Sequence, residues 1–279
     1  MKSFKGKVAA ITGAGSGIGR ALALQLAREG AALALSDVNS EGLAETARLA
    51  GALGARVSQT KVDVSRREQM QDWAAQVVAE HGGCHLIFNN AGVAHAGLIQ
   101  DVKIEDFEWI MGINFWGVVY GTQFFLPHLK ASGDGHVVNI SSLFGLIAVP
   151  GNGTYNASKF AVRGYTEALA QEMALQKWPV GVTSVHPGGI KTNIARSARM
   201  DASMVGVLVK DTDQGRRDFE KLFRTTAEEA ARVILDGVRK GRRRVLIGAD
   251  AKAIDVLARV LPEGYQSLVG KVTRQMRGR

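Results

Sequence analysis

Short aliphatic runs, separated by stretches long enough for helices, constrain the fold of this 279-residue chain more than any other feature. The runs lack polar alternation, which is typical of strands that are covered on both faces. They are Val8–Ile11, Ala32–Leu35, Leu86–Phe88, Val137–Ile140, Val182–Val185 and Val245–Ile247. Buried strands that alternate with helices predict an α/β fold, a doubly wound parallel sheet with helices on both sides.

The predicted helices fill the stretches between these strands. The first carries Ile18, Leu22 and Leu26 at four-residue spacing and ends near Gly30, and the others cover about residues 40–51, 66–81, 103–130, 154–176 and 226–240. No internal repeat or low-complexity linker interrupts the pattern. We therefore expect one domain over residues 1–250, followed by a C-terminal extension over 251–279.

Residues 190–225 break this rhythm, because their apolar side chains follow no clean period. A long irregular insertion in a compact domain is often a lid or a binding loop. We predict a substrate loop there; the alternative is a surface loop, or short helices packed on the core.

Composition excludes several classes of protein. No run of about 18 apolar residues exists, so we expect no spanning helix, and the first residues lack the pattern of a signal peptide. The single cysteine, Cys84, cannot form an internal disulfide, which fits a reducing cytoplasm. His81 and His85 lie beside Cys84 ahead of a strand, away from the expected site, and we predict no metal.

The net charge of +9 is concentrated at the C-terminal end. Residues 216–279 hold 16 Lys/Arg and 8 Asp/Glu, a net of +8. Apolar residues at helical spacing after Tyr265 predict an amphipathic basic helix. We expect it to pack over the substrate loop or against a neighbouring subunit; contact with a membrane surface is a less favoured alternative. Nucleic-acid binding is not expected, because no recognition motif accompanies the charge.

A glycine-rich turn follows the first strand and opens the first helix. In "TGAGSGIGR", residues 12–20, Gly13, Gly17 and Gly19 permit a tight turn and close backbone approach. The spacing Gly-x3-Gly-x-Gly differs from the common G-x-G-x-x-G. Free N–H groups at the helix N-terminus favour a diphosphate. The turn therefore predicts a dinucleotide site, with Ser16 inside it and Arg20 as a less favoured phosphate partner.

An acidic residue closes the second strand, 20 residues after Gly17. Asp37 can accept hydrogen bonds from both hydroxyls of an adenosine ribose, and a 2′-phosphate there would meet like charge. The cofactor is therefore predicted to be NAD, with NADP less favoured. Asp63-Val64 closes the third predicted strand and Asn89-Asn90-Ala91-Gly92 the fourth, at the edge where ligands of such sheets bind.

With the glycine turn, Asn89-Asn90-Ala91-Gly92 and Tyr155-x3-Lys159 in this order, residues 5–250 resemble the short-chain dehydrogenases/reductases. The resemblance implies a seven-stranded Rossmann-type sheet, a nicotinamide cofactor and hydride transfer to or from a carbonyl carbon. It also implies a homotetramer or homodimer built on the helices at 103–130 and 154–176.

The resemblance nominates Asn114, Ser142, Tyr155 and Lys159 as the catalytic set. It also assigns Pro187-Gly188-Gly189-Ile190-Lys191-Thr192 to the nicotinamide carboxamide. The full predicted cofactor set is Gly13, Ser16, Gly17, Ile18, Gly19, Asp37, Asp63, Val64, Asn90, Ala91, Gly92, Tyr155, Lys159, Pro187, Gly188, Ile190 and Thr192.

The spacing of Tyr155 and Lys159 carries a physical prediction. Residues four apart on a helix share one face, about 5–6 Å apart. The ammonium favours phenolate, and the positive nicotinamide ring of NAD⁺ would act in the same direction. Together they are expected to lower the tyrosine pKa from about 10 toward a range useful for acid–base catalysis. Tyr155 would exchange a proton with the substrate oxygen, and Ser142 would stabilise the charge that develops on that oxygen. The resemblance implies that Asn114 binds a water that connects Lys159 to solvent.

The residues that flank the catalytic set are mostly apolar. We predict a hydrophobic secondary alcohol or ketone as substrate, contacted by His95, Leu143, Phe144, Asn152, Gly189 and Ile194, with Val93, Ala94 and Val149 as further candidates. His95 as a packed loop histidine is the alternative at that position. Two other functions stay open, a carrier-linked 3-oxoacyl reductase and a non-catalytic dinucleotide-sensing regulator. Asp37 disfavours the first, and the intact Tyr155/Lys159 pair disfavours the second.

Overall fold

The computed structural model describes residues 1–221 and 223–277, and its centre is a seven-stranded parallel sheet. The strands are β1 (Val8–Thr12), β2 (Ala32–Asp37), β3 (Val57–Lys61), β4 (Leu86–Asn89), β5 (His95–Ala96), β6 (Gly135–Ile140), β7 (Val180–Pro187), β8 (Arg199–Met200) and β9 (Arg244–Ile247). The sheet order is β3-β2-β1-β4-β6-β7-β9, while β5 and β8 form a separate parallel pair. The predicted doubly wound fold is confirmed.

Helices cover both faces of the sheet. They are α1 (Gly17–Arg28), α2 (Ser40–Ala52), α3 (Arg67–His81), α4 (Ile104–Met111), α5 (Gly117–Ala131), α6 (Gly153–Leu175), α7 (Thr212–Lys221), α8 (Ala227–Arg239), α9 (Ala249–Val260) and α10 (Gly264–Arg277). A π-helical turn, Gly112–Trp116, joins α4 to α5. The predicted helices are therefore present, but the one at 103–130 consists of three pieces.

The third strand ends earlier than the sequence predicted. β3 stops at Lys61, so Asp63-Val64 lies beyond the strand and does not close it. The Asp63 carboxylate accepts hydrogen bonds from the backbone N–H and the hydroxyl of Ser65, at 3.0 and 2.7 Å. This local turn diverts the chain toward α3, which is the physical reason for the earlier end.

The core has one apolar cluster on each face of the sheet. On one face Leu22 and Leu26 of α1 are fully buried in the same cluster as Leu35 of β2. On the other face Trp73 of α3 meets Phe125 of α5 edge to face, with ring centroids 5.1 Å apart. Full burial of side chains of this size contributes about 1.5–3 kcal/mol each, so these helices are held firmly on the sheet.

A polar network lies buried between the central strands. Asn89 of β4 stands opposite Asn139 of β6, and its amide donates to the Asn139 Oδ1 at 2.8 Å and to the Thr122 hydroxyl at 3.2 Å. The Asn139 amide in turn donates to the Thr166 hydroxyl at 3.0 Å. The network joins β4 and β6 to helices α5 and α6.

The segment at 190–221 has more structure than its sequence predicted. It contains β8, a 3₁₀ turn at Ala202–Met204 and α7. β8 pairs with β5, and Arg199 forms an ion pair with Asp106 at 2.9 Å while its guanidinium lies 3.6 Å from the centroid of the Trp109 ring. The segment is thus tied to the loop after β4 and to α4.

The C-terminal extension is helical, as expected. The expected boundary between residues 250 and 251 falls inside α9, which begins at Ala249. Asp255 of α9 pairs with Arg244 of β9 at 3.0 Å. Among residues 1–221 and 223–277, no helix is both long and apolar enough to span a bilayer.

Candidate active site

Tyr155 and Lys159 lie in the first turns of α6, beside the carboxyl end of β6. The helix follows Gly151, whose φ of +76° suits glycine, and begins at Gly153. Lys159 is buried, and its Nζ donates to the backbone carbonyl of Ile140 at 3.0 Å. The same Nζ lies 5.7 Å from the centroid of the Tyr155 ring. The fold therefore places phenol and ammonium side by side.

Ser142 joins this pair from the loop after β6. Its hydroxyl forms a hydrogen bond with the Tyr155 side chain, and its Oγ accepts from the backbone N–H of Phe144 at 3.1 Å. Its backbone carbonyl accepts from Nδ1 of the buried His186 at 3.0 Å. A carbonyl only accepts, so Nδ1 carries the proton and Nε2 accepts from the Ser184 hydroxyl at 3.0 Å. Sequence reasoning missed this support for Ser142.

Burial dominates the electrostatics of the pair in the chain without a cofactor. Burial raises the pKa of Tyr155 above its ordinary value, and the hydrogen bond from Ser142 opposes this only in part. Burial also lowers the pKa of Lys159 to about 8. In the chain without a cofactor, loss of water disfavours phenolate more than its neighbours favour it. The expected fall of the tyrosine pKa, which needs Lys159 and bound NAD⁺ together, stays a prediction.

Asn114 lies in the π-helical turn, a feature common at functional sites. Its Oδ1 accepts from the N–H of Val93 at 2.8 Å, and its Nδ2 donates to the Val93 carbonyl at 3.0 Å and to the Ser158 hydroxyl at 3.1 Å. A β-carbon added to Gly92 would lie 3.2 Å from the Asn114 Oδ1 and 3.4 Å from the Lys159 Nζ. Asn114 therefore fixes the loop after β4 beside Lys159.

The glycine turn packs directly on that loop. A β-carbon on Gly13 would lie 2.8 Å from the Ala91 Cα, and one on Gly19 would lie 2.1 Å from the Gly13 carbonyl oxygen. The amide of Asn90 donates to the backbone carbonyls of Thr12 and Gly13, at 2.9 and 3.1 Å. Close backbone approach thus requires glycine at both positions.

Thr12 is a positioning residue that sequence reasoning missed. Its hydroxyl accepts hydrogen bonds from the backbone N–H groups of Asn90 and Ala91, both at 3.0 Å. It is the last residue of β1. Because threonine is common in strands, the sequence gives no signal for this role. The contact locks the turn before α1 to the end of β4.

The start of α1 suits a bound diphosphate. Ser16 is extended, and no side-chain hydrogen bond caps the helix that begins at Gly17. Ile18 and Gly19 follow in the first turn, where backbone N–H groups lack helical acceptors. Arg20 instead donates to the backbone carbonyls of Gly15 and Gly42, at 2.5 and 3.2 Å. The arginine therefore ties the turn to α2.

Asp37 stands beside the same turn. Its two carboxylate oxygens accept from the backbone N–H groups of Gly15 at 2.8 Å and Asn39 at 2.9 Å. A β-carbon on Gly15 would lie 2.9 Å from the Asp37 Oδ2. The structure thus brings the predicted ribose and diphosphate partners together, and these residues fit a dinucleotide.

The segment after β7 approaches the glycine turn from the other side. A β-carbon on Gly17 would lie 3.0 Å from the Thr192 Cγ2. Pro187 ends β7, Ile190 is buried, and the N–H of Gly189 donates to the Asp250 carboxylate at 2.8 Å. That last contact, from the start of α9, was not visible in the sequence.

Two predicted cofactor residues lie farther along the same edge. Asp63 turns the chain toward α3, and Val64 is buried against Gly117, where an added β-carbon would lie 2.8 Å from the Val64 Cγ2. Their contact with a cofactor stays a prediction. Gly188 lies under Asp250, since a β-carbon there would be 2.2 Å from its carboxylate oxygens.

Of the predicted substrate residues, the structure places Phe144 in contact with Tyr155. The Phe144 ring meets the Tyr155 ring edge to face at 6.0 Å, and Asn152 precedes α6. His95 is buried, and its Nδ1 lies 3.0 Å from the Thr154 hydroxyl; burial also lowers its pKa. Leu143 and Ile194 are half-buried. A packed role for His95 agrees with this geometry.

Three features define an oxidoreductase of the dinucleotide-binding α/β class. They are the order of the strands in the sheet, the glycine turn, and the cluster of Ser142, Tyr155 and Lys159. The family model for short chain dehydrogenases matches residues 7–203. The chain belongs to the short chain dehydrogenase family.

Known proteins with the same fold and similar sequences support this assignment. The Mycobacterium tuberculosis protein named "Putative oxidoreductase SadH" is 55% identical over 271 residues, which are 96% of each chain. The cyclohexanol dehydrogenase of Acinetobacter sp. is 37% identical over 190 residues, 68% of this chain and 75% of that one. A Burkholderia phymatum short chain dehydrogenase/reductase crystallised with NAD is 33% identical, with a TM-score of 0.86 over 94% of this chain and 96% of that one.

Proposed function

We propose that the protein interconverts a hydrophobic secondary alcohol and its ketone, with NAD as cofactor and Tyr155 as general acid and base. The observation that carries this proposal is the position of Lys159, one helical turn from Tyr155 with its Nζ 5.7 Å from the ring centroid, beside Ser142, whose side chain acts to lower the tyrosine pKa. These groups surround the place where a substrate oxygen would meet the tyrosine hydroxyl.

The cofactor would lie along the carboxyl edge of the sheet. The uncapped N-terminus of α1 would hold its diphosphate, and Asp37 would accept from the adenosine ribose hydroxyls. When bound, the nicotinamide takes or supplies the hydride. The negative charge of Asp37 disfavours a 2′-phosphate, and the similarity to a structure that contains NAD supports the same preference.

Proton transfer would be carried out by the chain's own residues. In ketone reduction, the Tyr155 hydroxyl gives its proton to the substrate oxygen as that oxygen becomes an alcohol. Burial keeps the tyrosine protonated, which suits this direction. In alcohol oxidation, the Tyr155 phenolate, which the Lys159 ammonium stabilises, takes the hydroxyl proton and becomes the phenol. Ser142 hydrogen-bonds the substrate oxygen in both directions.

The apolar surroundings support a hydrophobic substrate. Phe144 packs against Tyr155, and Leu143 and Ile194 are only half-buried near the same edge. The similarity to an enzyme named for cyclohexanol also supports an apolar secondary alcohol. His95, Asn152 and Gly189 remain proposed contacts of the same site.

We also propose that the chain self-associates through α5 and α6. Trp116, Tyr120 and Phe124 form a ladder of stacked rings on the α5 side, and Trp116 is 47% exposed. Phe160 of α6 is exposed as well. Light scattering coupled to size-exclusion chromatography should show a dimer or tetramer. Trp116→Glu should reduce the number of subunits.

A screen of secondary alcohols with NAD⁺ and with NADP⁺ tests the proposed function. We expect turnover of cyclic and aliphatic secondary alcohols, faster with NAD⁺, and no turnover by Tyr155→Phe. Calorimetry should show that this variant still binds NADH. Tyr120→Phe, at a half-buried tyrosine outside the catalytic set, is the matched control and should keep full activity per subunit. Retained turnover in Tyr155→Phe would reject the role of the tyrosine.

A further inference from the structure

The two C-terminal helices expose apolar side chains on their outer side. Val256 and Val260, one turn apart on α9, are 59% and 70% exposed, and Leu261 follows them. Leu268 and Val272, one turn apart on α10, are also exposed. Residues at this spacing share one helix face. We call these five residues the C-terminal apolar face.

Other residues of the same helices hold them on the domain. Ala251 and Asp255 of α9 are buried, as is Tyr265 of α10. Burial of these residues accounts for the docking of α9 and α10, so the valines and leucines on the outer side are left without a role in the fold. An outward row of large aliphatic residues on two successive helices indicates a contact surface.

Exposed cations lie on the same two helices. Lys252, Arg259, Lys271 and Arg274 are all exposed, the first two on α9 and the others on α10. The acidic side chains of the described part of these helices do little to offset them. Asp250 accepts from Gly189, and Asp255 is buried between Arg244 and Arg259. Glu263 lies exposed in the connecting turn.

We propose that the C-terminal apolar face docks on an anionic lipid surface. Apolar side chains of amphipathic helices enter the boundary between headgroups and acyl chains, while lysine and arginine extend to the phosphates. Clustered Lys and Arg attract such surfaces electrostatically. A two-fold contact between two copies through this face would instead place like cations against each other. The proposed subunit surface on α5 and α6 would also leave this face free.

Docking would place the site close to the lipid. Tyr265 of α10 contacts the backbone N–H of Ala148, in the loop that leads to Tyr155. A hydrophobic alcohol or ketone concentrates in lipid, so docking would shorten its route to the site; this consequence rests on the proposed function, whereas the docking itself does not.

Co-sedimentation of the full chain with vesicles tests the docking. We expect binding to vesicles of phosphatidylcholine mixed with phosphatidylglycerol at low salt, weaker binding at high salt, and little binding to phosphatidylcholine alone. Val256→Gln/Val260→Gln/Leu268→Gln/Val272→Gln should reduce the partition coefficient about tenfold or more. Lys271→Glu/Arg274→Glu, at exposed positions that tolerate substitution, should remove the preference for anionic lipid.

The matched control is Leu53→Gln/Leu175→Gln, which removes the exposed leucines that follow α2 and end α6, and it should bind like the wild type. Equal binding by all variants, or none by the wild type at low salt, overturns the proposal. A change in the number of subunits on substitution of the apolar face, seen by light scattering, would identify it as an interface between copies and would also overturn it. Turnover measured without lipid separates failure of the docking from failure of the proposed function.

Discussion

The hydroxyl of Tyr265 on α10 accepts a hydrogen bond from the backbone N–H of Ala148 at 3.2 Å. Tyr265 is buried and Ala148 is exposed, so this contact is partly shielded from water. It ties the last helix of the chain to the loop between Ser142 and Tyr155. Distant parts of the sequence therefore support one wall of the site.

Tyr265→Phe should weaken this support without changing the shape of the ring. Loss of the hydrogen bond should lower the stability by about 1 kcal/mol. If the same free energy is lost from the stabilisation of the transition state, kcat/KM for the ketone falls about fivefold, while the Kd for NADH stays unchanged. Thermal melts and steady-state kinetics measure both effects. A fall in NADH affinity as large as the fall in kcat/KM would show that the contact supports the cofactor groove instead.

Lys159→Met should remove the cation that favours the phenolate of Tyr155. Burial already raises the pKa of Tyr155, so the rate of alcohol oxidation should fall about 100-fold or more. The rising limb of its pH profile should also move to higher pH, because the tyrosine then loses its proton only in more alkaline solution. Lys2→Met, at the exposed N-terminal end, should leave the profile unchanged. An unshifted limb in Lys159→Met would contradict the tuning role.

Gly19→Ala and Gly51→Ala should have opposite effects. The added methyl at Gly19 would lie 2.1 Å from the Gly13 carbonyl oxygen, so the turn must move. We expect a loss of about 2 kcal/mol or more and loss of NADH binding. Gly51 lies within α2 with nothing within 4 Å of the added methyl, and alanine there should stabilise the protein by about 0.5–1 kcal/mol. Denaturant unfolding and calorimetry test the pair, and equal effects would refute the clash.

Two buried histidines predict a loss of stability in acid. Burial lowers the pKa of His136 and of His186 to about 4 each. An unfolded histidine has a pKa of about 6.5, so below that pH the unfolded chain binds protons that the folded chain does not. Stability should therefore decrease between about pH 6.5 and pH 4, by up to about 3 kcal/mol for each histidine. Melting temperature against pH measures this decrease.

The matched variants for this prediction are His136→Gln and His186→Gln. Each removes one proton-binding group from the unfolded chain, so each should flatten part of the acid slope even if it lowers the melting temperature at neutral pH. A slope that is identical in wild type and both variants would assign the acid loss to other groups.

The local parts of the fold were predictable from the sequence, because they depend on periodicity and on short spacings. Buried strands such as Val8–Ile11 carry uninterrupted apolar residues, and the Tyr155/Lys159 pair is separated by one helical turn. The boundary of β3 was not predictable, since Asp63 and Ser65 form a turn that competes with the strand. The π-helical turn around Asn114 likewise leaves no periodic signal.

The residues missed at the site act over long separations in sequence. Thr12 holds the loop at Asn90, and Asp250 holds Gly189. Neither residue type is unusual where it occurs, and only the packed sheet brings each pair together. The effect of burial on the Tyr155 pKa was missed for a similar reason, because burial depends on the whole fold rather than on the distance to Lys159.

The paired amides of Asn89 and Asn139 have a consequence for how the sheet assembles. Shifting β4 by one residue against β6 would bring Asn89 beside Val138 or Ile140 and strand two amide groups in hydrocarbon. Each such group costs about 1–3 kcal/mol, whereas the aliphatic neighbours could tolerate the shift. The two asparagines thus favour one register between β4 and β6, and with it the alignment of the strand ends that form the cleft.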